Sequence, residues 1–289
     1  MTDLFRRAWK VQVGSLDVSE LSIKFKAKRT LAARAGTLDL EIRNLTAEHR
    51  REIQTARRFH TFVEVIAGYK GSESLIFRGD LRKAVPSRDG TDWTVKVTAG
   101  DGEHAIRTAR VSRAFASGTT LSTVITHIAE AMGVGIGNAR EELSSASLGA
   151  LGETFPEGTV LHGFAAAELT RLCASARKTW SIQDGNLQVL DLGGHLARDA
   201  IFLSPDNGLL ESPEVVGRRV ITAQALLQPG LVPGQRVVIQ SGVLLSTAPW
   251  RITECEYSGD THGNDWHVSM TLHRPRPPLT SGSVTAADV

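Results

Sequence analysis

The chain has 289 residues, of which 41% are hydrophobic and 22% charged, and its formal net charge is +2. This length allows two or three domains of about 100–150 residues, and the ordinary composition excludes a wholly disordered chain. No run approaches the roughly 20 apolar residues of a membrane-spanning helix, and the charged start has no apolar stretch of a secretory signal behind it, so we expect synthesis in a cytoplasm.

The first hundred residues are predicted to form six strands of an antiparallel barrel or sandwich. In most of them apolar residues alternate with polar ones, the pattern of a strand with one buried face. The predicted strands cover residues 9–13, 21–26, 38–43, 62–69, 75–85 and 93–98. A polar, arginine-rich segment at 46–59 interrupts them and is predicted to be a helix outside the barrel, with Thr46 as its N-cap.

Charge is concentrated in this first part of the chain. Residues 1–60 carry 13 Lys and Arg against 7 Asp and Glu, whereas the remaining residues carry 20 against 24. Two interpretations stay open, a basic surface that meets an acidic partner and an ordinary solvated face. Nucleic-acid binding is disfavoured because the arginines are not interleaved with the aromatic residues that stack bases.

Helical spacing dominates the centre of the chain, which we predict to be a small mixed α/β module. The predicted helices cover residues 101–109, 119–132 and 164–177, and the predicted strands cover 179–183 and 187–190. Asp101 is the predicted cap of the first helix, and Gly133 ends the second. Asp184-Gly-Asn186 is the turn between the strands, and the segment 143–158 has the composition of a loop.

Strand patterns return near residue 198 and continue almost to the end of the chain. The predicted strands cover residues 200–203, 218–227, 235–240, 250–257 and 266–273. In the last of them the apolar residues Trp266, Val268, Met270 and Leu272 alternate with polar ones, as in a half-buried strand. The prolines at 275–278 end regular structure, and 280–289 is predicted to be a flexible tail.

The predicted fold class is mainly β with α+β. It has two antiparallel β-barrel domains, separated by the α/β module. The predicted domains are an N-terminal barrel at 1–110, the module at 111–197, a C-terminal barrel at 198–279 and the tail at 280–289.

Two groups of residues suggest ligand chemistry, and each has a simpler structural explanation. Gly133-Val-Gly-Ile-Gly137 resembles a glycine-rich dinucleotide-binding loop. However, it follows a predicted helix instead of a strand, and the spacing of its last glycine differs from that motif. We predict a helix stop that leads into a short strand. His262, Asp265 and His267 imply no fourth metal ligand, so we assign them to a turn and to the solvent-facing side of a strand.

Hydrolase and thiol chemistry find little support. The chain has no GxSxG nucleophile motif, and His162 and His195 are interpreted as capping or loop residues beside the module. The sequence leaves open the alternative of a glycosidase, which uses a pair of carboxylates. Cys173 and Cys255 lie too far apart in sequence for a zinc motif, and we predict two buried thiols. We therefore predict no catalytic residue, no cofactor and no metal ligand.

The C-terminal strands carry the strongest resemblance to a known family. Two Pro-Gly turns at 229–234, two strands, the turn 258–265 and a tryptophan-led strand occur in the order of the C-terminal end of phage tail baseplate hub proteins of the Mu-like kind. Other segments resemble the first tail-tube-like domain and the middle module of that family. They are Trp9-Lys-Val-Gln-Val13, Phe77-Arg-Gly-Asp80, 119–125 and 180–187.

The resemblance implies a structural virion protein rather than an enzyme. Hubs of this family form homotrimers in which each subunit contributes two tube-like barrels, and the resulting pseudo-sixfold ring adapts the hexameric tail tube to the trimeric spike. The implied partners are further copies of the chain, the tail tube protein or an adaptor ring, the spike, the tape measure protein and other baseplate proteins. The implied location is the tail baseplate of a virion assembled in the host bacterial cytoplasm.

The arginine-rich segment at 46–59 is our candidate for an interface within such a ring. The candidate residues are Arg50, Arg51, Arg57 and Arg58. Two other classes stay open: a tail-associated enzyme that cleaves peptidoglycan or carbohydrate, for which a close acid pair in a cleft would be the sign, and a nucleic-acid-binding β-protein.

Overall fold

The computed structural model of the chain describes residues 6–143, 154–242 and 248–274. The predicted tail at 280–289, the prolines at 275–278 and most of the predicted loop at 143–158 lie outside these residues. No helix in the described part of the chain is long and apolar enough to cross a membrane.

The described residues form nineteen strands, five α-helices and one 3₁₀ helix. The strands are β1 Arg7–Val13, β2 Leu16–Asp17, β3 Ile23–Thr30, β4 Gly36–Arg43, β5 Phe62–Tyr69, β6 Ser74–Asp89, β7 Asp92–Asp101, β8 Arg110–Phe115, β9 Thr119–Thr120, β10 Thr154–Phe155, β11 Thr159–Phe164, β12 Lys178–Gln183, β13 Asn186–Asp191, β14 Ile201–Leu203, β15 Glu214–Gly217, β16 Val220–Leu226, β17 Arg236–Ile239, β18 Trp250–Asp260 and β19 Trp266–His273. The helices are α1 Ala47–Thr55, α2 Glu103–Thr108, α3 Leu121–Met132, α4 Ala139–Glu142, α5 Ala165–Ser175 and the 3₁₀ helix Pro205–Asn207.

One 13-stranded sheet runs through both β regions of the chain. Its order is β15-β16-β19-β18-β3-β4-β7-β6-β5-β1-β2, with β17 also paired to β18 and β14 paired to β17. The antiparallel pair of β3 and β18 joins the N-terminal strands to the C-terminal strands. The inner faces of both regions contribute to a single apolar core. The predicted fold class, mainly β with a small α/β module, is confirmed, whereas the division into domains stays a prediction.

The backbone ladders do not close into rings within the described residues, but side chains join the two sides of the N-terminal strands. Trp266 on β19 is 3% exposed, and its Nε1 donates a hydrogen bond to the carbonyl of Gly68 on β5 at 3.2 Å. The ring of Trp9 on β1 meets that of Trp266 edge to face, with 5.9 Å between their centroids. Trp266 thus holds β19 of the C-terminal hairpin against β1 and β5 of the N-terminal strands.

The alternation predicted for the last strand is confirmed. Trp266, Val268, Met270 and Leu272 are buried, while the polar residues between them are half-buried on the outer face. The predicted strand 218–227 is also present, as β16. The preceding strand β15 was not predicted, because its four residues are all exposed and show no alternation.

The α/β module has its own core, in which α5 packs against α3 and β12, and α4 packs against β13. The predicted turn between these strands is confirmed: Asp184 and Gly185 both have positive φ angles, 54° and 76°, as a two-residue type I′ hairpin turn requires. The antiparallel ribbon of β8 and β11 was not predicted. The ribbon's polar strands lack the strict alternation from which strands are predicted.

Two helices differ from their predictions. The helix α1 begins as predicted after Thr46, whose Oγ1 accepts a hydrogen bond from His49 N at 3.2 Å, but it ends at Thr55. Its Ile53 is buried in the main core, so the helix packs on the sheet. In α2 the N-cap is Gly102 and makes no side-chain cap. Asp101 does not cap this helix, because its carboxylate accepts hydrogen bonds from the backbone of the turn between β12 and β13.

Candidate functional site

The arginine-rich segment forms an exposed basic surface on the N-terminal half. Arg51, Arg57 and Arg58 are exposed, and no ion pair or side-chain hydrogen bond involves them in the described part of the chain. Arg51 lies on α1, and the other two lie in the connection to β5. We call these three residues the arginine surface.

Arg50, the fourth predicted interface residue, has a different environment. Its guanidinium lies 4.2 Å from the centre of the Trp93 ring, and it donates a hydrogen bond to the carbonyl of Leu45. These contacts tie α1 to β7 and to the end of β4. The structure therefore separates Arg50, which stabilises the fold locally, from the arginine surface.

A second exposed surface lies at the far end of the large sheet, on β15. Among the described strands β15 pairs only with β16. Val215 and Val216 are 59% and 61% exposed. A β-bulge between Val215 and Gly217 leaves Val216 without an opposite residue, which twists this edge and limits uncontrolled strand pairing.

Val215 continues an apolar row that is otherwise completely buried. It lies opposite Ile221, which lies opposite Leu272, which in turn lies opposite Ile252. These three partners are at most 1% exposed. The row leaves the core only at Val215, so an apolar rim of the sheet is exposed to solvent.

A groove of about 370 Å³ lies beside this edge, between the segment leading into β15 and the outer face of the sheet. Four of its lining residues are glutamates and one is a lysine. They are Glu211, Glu214, Glu254, Glu256 and Lys28. Glu254 is paired with Lys28 and Arg34, whereas no ion pair neutralises Glu211 or Glu214 within the described ranges. The groove is therefore acidic, and we call it the acidic groove.

The outer face of the N-terminal strands is polar, with charges of opposite sign in neighbouring positions. Lys24 and Lys26 on β3 lie opposite Glu41 and Asp39 on β4, and Glu41 lies opposite Lys96 on β7. A second cavity of about 370 Å³ lies on this face. Because each lysine has an acidic neighbour, the face lacks the concentrated positive charge that a phosphate backbone would require.

A buried polar junction connects the sheet to the α/β module. Arg29 on β3 is 4% exposed and donates to Gln183 Oε1 at 3.0 Å, to the carbonyl of Ile76 at 3.2 Å and to Asp184 Oδ2 at 2.7 Å. Asp101, 3% exposed, accepts from the backbone amide of Asp184 at 2.6 Å. The hairpin turn of the module is thus held by a cation and a carboxylate from the sheet.

Asp101 and Asp184 are neighbouring acids, but they line neither cavity and so do not form the acid pair in a cleft that would be the sign of a glycosidase. Burial, and then the neighbouring charge of Asp184, raise the pKa of Asp101 to about 7. Both oxygens of Asp101 accept hydrogen bonds from backbone amides, and Oδ2 of Asp184 is paired with Arg29. Neither residue lines the acidic groove or the cavity on the outer face. The pair joins two parts of the fold and offers no access to a polymeric substrate.

The remaining residues suggested by the sequence also have structural roles. Gly133 ends α3 with φ 67°, and Gly135 forms a single β-bridge with Asn186, which confirms the predicted helix stop. The turn that contains His262 and Asp265 is organised by Asp260, whose Oδ1 accepts from His262 N at 3.0 Å. No group of three His, Cys, Asp or Glu residues in the described ranges is arranged to hold a metal ion.

Both cysteines are buried as predicted, and burial raises the pKa of each thiol to about 12. The two flanking histidines differ from each other. His195 lies in a loop, in agreement with the prediction, and its Nδ1 is 3.0 Å from the carbonyl of Leu196. His162 lies within β11, so its interpretation as a capping or loop residue was wrong.

No protein-family model matches the chain, and no curated protein matches it. Solved structures do match over nearly its whole length. The 43 kDa tail protein of prophage MuSo2 from Shewanella oneidensis is 14% identical, with a TM-score of 0.62 over 92% of this chain and 98% of that one. The chain shares the fold of phage tail proteins.

Two further structures support this assignment of the fold. A tail protein from Neisseria meningitidis MC58 is 10% identical, with a TM-score of 0.64 over 93% of this chain and 96% of that one. An E. coli type VI secretion component, described as similar to the T4 tail proteins gp27 and gp5, is 12% identical, with a TM-score of 0.59 over 93% of this chain and 77% of that one. The predicted resemblance to phage tail proteins is thus confirmed at the level of fold.

Proposed function

We propose that the chain is a structural protein of a phage tail and forms the baseplate hub at the distal end of the tail tube. In this role three copies form a pseudo-hexameric ring that adapts the hexameric tube to the trimeric spike. The observation that carries the proposal is the match to a prophage tail protein and to a second tail protein, each over more than nine-tenths of both chains. A match limited to one shared domain would cover a much smaller part of the two chains.

The exposed surfaces support a ring-forming role. The large sheet ends at β15, where two valines and an apolar rim are exposed to solvent. Apolar rims of this kind are usually buried in contacts between proteins, and a closed ring of identical subunits buries one on every subunit. The partners of the ring would be the tail tube protein or an adaptor ring, the spike, the tape measure protein and other baseplate proteins, within a virion assembled in the bacterial cytoplasm.

We assign no catalytic step, no cofactor and no metal to this function. The buried Asp101 and the half-buried Asp184 are engaged in the junction between the sheet and the module. The outer face of the N-terminal strands has alternating charges, which disfavours the alternative of a nucleic-acid-binding protein. A role in virion assembly requires neither catalysis nor nucleic-acid binding.

The test is the mass and shape of the assembled protein. We expect the full chain, purified at high concentration or bound to the end of tail tubes, to have three times the mass of one chain. Electron micrographs should show a ring with a central channel. A monomer under both conditions, or an assembly with another number of subunits, would overturn the proposal.

A further inference from the structure

The arginine surface and the acidic groove are far apart in the strand order of one molecule. The arginine surface belongs to α1, which packs against β6, and to the connection after it. The acidic groove borders β15, and six strands separate β15 from β6 in the sheet. Within the described part of the chain, no ion pair joins the arginine surface to the acidic groove of the same molecule.

The two surfaces carry opposite charges, and both include charged groups that lack counter-ions among the described residues. Three exposed guanidinium groups have no counter-ion among the described residues, and the carboxylates of Glu211 and Glu214 have none either. Unpaired charges of opposite sign on separate faces direct two molecules into one orientation and suppress the alternatives. Arginine is well suited to such a contact because its planar guanidinium group binds a carboxylate through two hydrogen bonds.

The edge strand beside the groove adds an apolar part to the contact. Val215 and Val216 follow Glu214 in the chain and are exposed, but neither lines the groove, and Val215 lies in register with the buried Ile221 on the other face of the sheet. A partner that covers the valines must therefore extend from the groove around the edge strand. Interfaces that combine apolar and charged residues in this way are typical of specific protein association. Charge alone would give a weak, salt-sensitive contact, whereas covering the valines adds a term that salt does not screen.

We propose that the acidic groove and the edge strand β15 of one subunit bind the arginine surface of a second copy of this chain. The contact joins two different surfaces, so successive copies are related head to tail. Repeated contacts of this type close into a ring when the rotation between copies allows it. This inference rests on the proposed function, since it names the contact between neighbouring subunits of the ring.

Charge reversal tests the contact in both directions. Arg51→Glu with Arg57→Glu and Arg58→Glu should weaken self-association about tenfold or more, and Glu211→Lys with Glu214→Lys should do the same. Equal mixing of the two variants should restore a contact between unlike subunits, because each offers the other a complementary pair of surfaces. Matched controls are Lys70→Glu with Arg140→Glu and Arg177→Glu for the basic side, and Glu20→Lys with Glu157→Lys for the acidic side. Both control variants should self-associate as the native protein does, and all four variants should have the stability of the native protein against unfolding.

A cross-link tests the contact even where association is weak. The Arg58→Cys and Glu214→Cys variants, mixed at high concentration with a short bismaleimide, should give a product of two chains. Either variant alone should not, and the pair Arg58→Cys with Glu157→Cys should not. The native thiols do not interfere, because Cys173 and Cys255 are each 1% exposed.

The outcomes separate this contact from the hub proposal. A trimeric ring that survives both charge reversals, or a mixture without the specific cross-link, would overturn the contact and leave the hub intact. The specific cross-link in dimers or open chains that never close would support the contact and overturn the trimeric ring.

Discussion

The Oδ1 atom of Asp101, at the end of β7, accepts a hydrogen bond from the backbone amide of Gly185 at 2.9 Å. Asp101 is one of the last residues of the N-terminal strands, and Gly185 is in the turn of the module's hairpin. The adjacent amide of Asp184 donates to the other oxygen of the same carboxylate. One buried side chain thus fixes the hairpin turn of the module against the sheet.

We predict that Asp101 makes stability depend on pH. Its pKa is raised from an ordinary value of 3.8 to about 7 by burial and by Asp184. The folded protein therefore binds this proton more tightly than the unfolded chain. The associated stabilisation is complete below about pH 4 and is lost as the pH rises through about 7, with an amplitude on the order of a few kcal/mol.

Asp101→Asn isolates this contribution, because the amide keeps the shape and does not titrate. Urea unfolding of both proteins at pH 5 and pH 8 measures it. The native protein should lose more stability than Asp101→Asn between the two pH values. Equal losses would show that Asp101 does not contribute to the pH dependence of stability.

We predict that Arg29→Ala destabilises the protein by about 3–5 kcal/mol. The substitution leaves the carboxylate of Asp184 and the side chain of Gln183 without the cation that binds them in a buried site. Arg34→Ala is the matched control, since Arg34 is 60% exposed and its pair with Glu254 should contribute less than about 1 kcal/mol. Urea unfolding compares the two variants, and similar costs would contradict a structural role for the junction.

We predict that Trp266→Ala destabilises the protein by about 3–5 kcal/mol and opens the N-terminal strands. The substitution removes the contacts of the indole with Trp9 and Phe25 and its hydrogen bond to Gly68. Hydrogen exchange should therefore increase in β1 and β5 as well as in β19. Phe62→Ala, at a residue 49% exposed, should leave exchange in β1 unchanged. Increased exchange restricted to β19 would show that the indole does not hold β19 against β1 and β5.

We predict that the four arginines selected from the sequence divide into two kinds. Arg50→Ser should lower the free energy of unfolding by about 1 kcal/mol, because it removes the contact with Trp93. Arg51→Ser with Arg57→Ser and Arg58→Ser should leave that free energy within about 0.5 kcal/mol of the native value while impairing assembly. Thermal unfolding and sedimentation measure the two effects. A loss of stability in the triple variant would place its arginines in the fold instead of an interface.

Local patterns in the sequence predicted many elements of the fold. The alternation in β19, the Thr46 cap of α1 and the Asp184-Gly185 turn each depend on neighbouring residues alone, and each is present in the structure. The strands β8, β11 and β15 escaped prediction because exposed or irregular strands carry no period-two signal. The only local signal for β15 was a pair of valines between a proline and a glycine.

The long-range relationships were decided by the tertiary structure. The pairing of β3 with β18 connects residues more than 200 positions apart, and many pairings are compatible with the same alternation. For the same reason Asp101 was assigned to its own helix, since a carboxylate next to a helix start is an ordinary cap and its true partner lies 84 residues away.

The sequence by itself determined a mainly β chain with a helical centre and a resemblance to phage tail proteins, because these follow from periodicity, turn residues and motif order. Only the tertiary structure decided that Arg50 belongs to the fold, that the other three arginines face solvent, and that an exposed edge with an acidic groove ends the sheet. Exposure and charge pairing depend on which distant segments meet in space, and no local pattern specifies that.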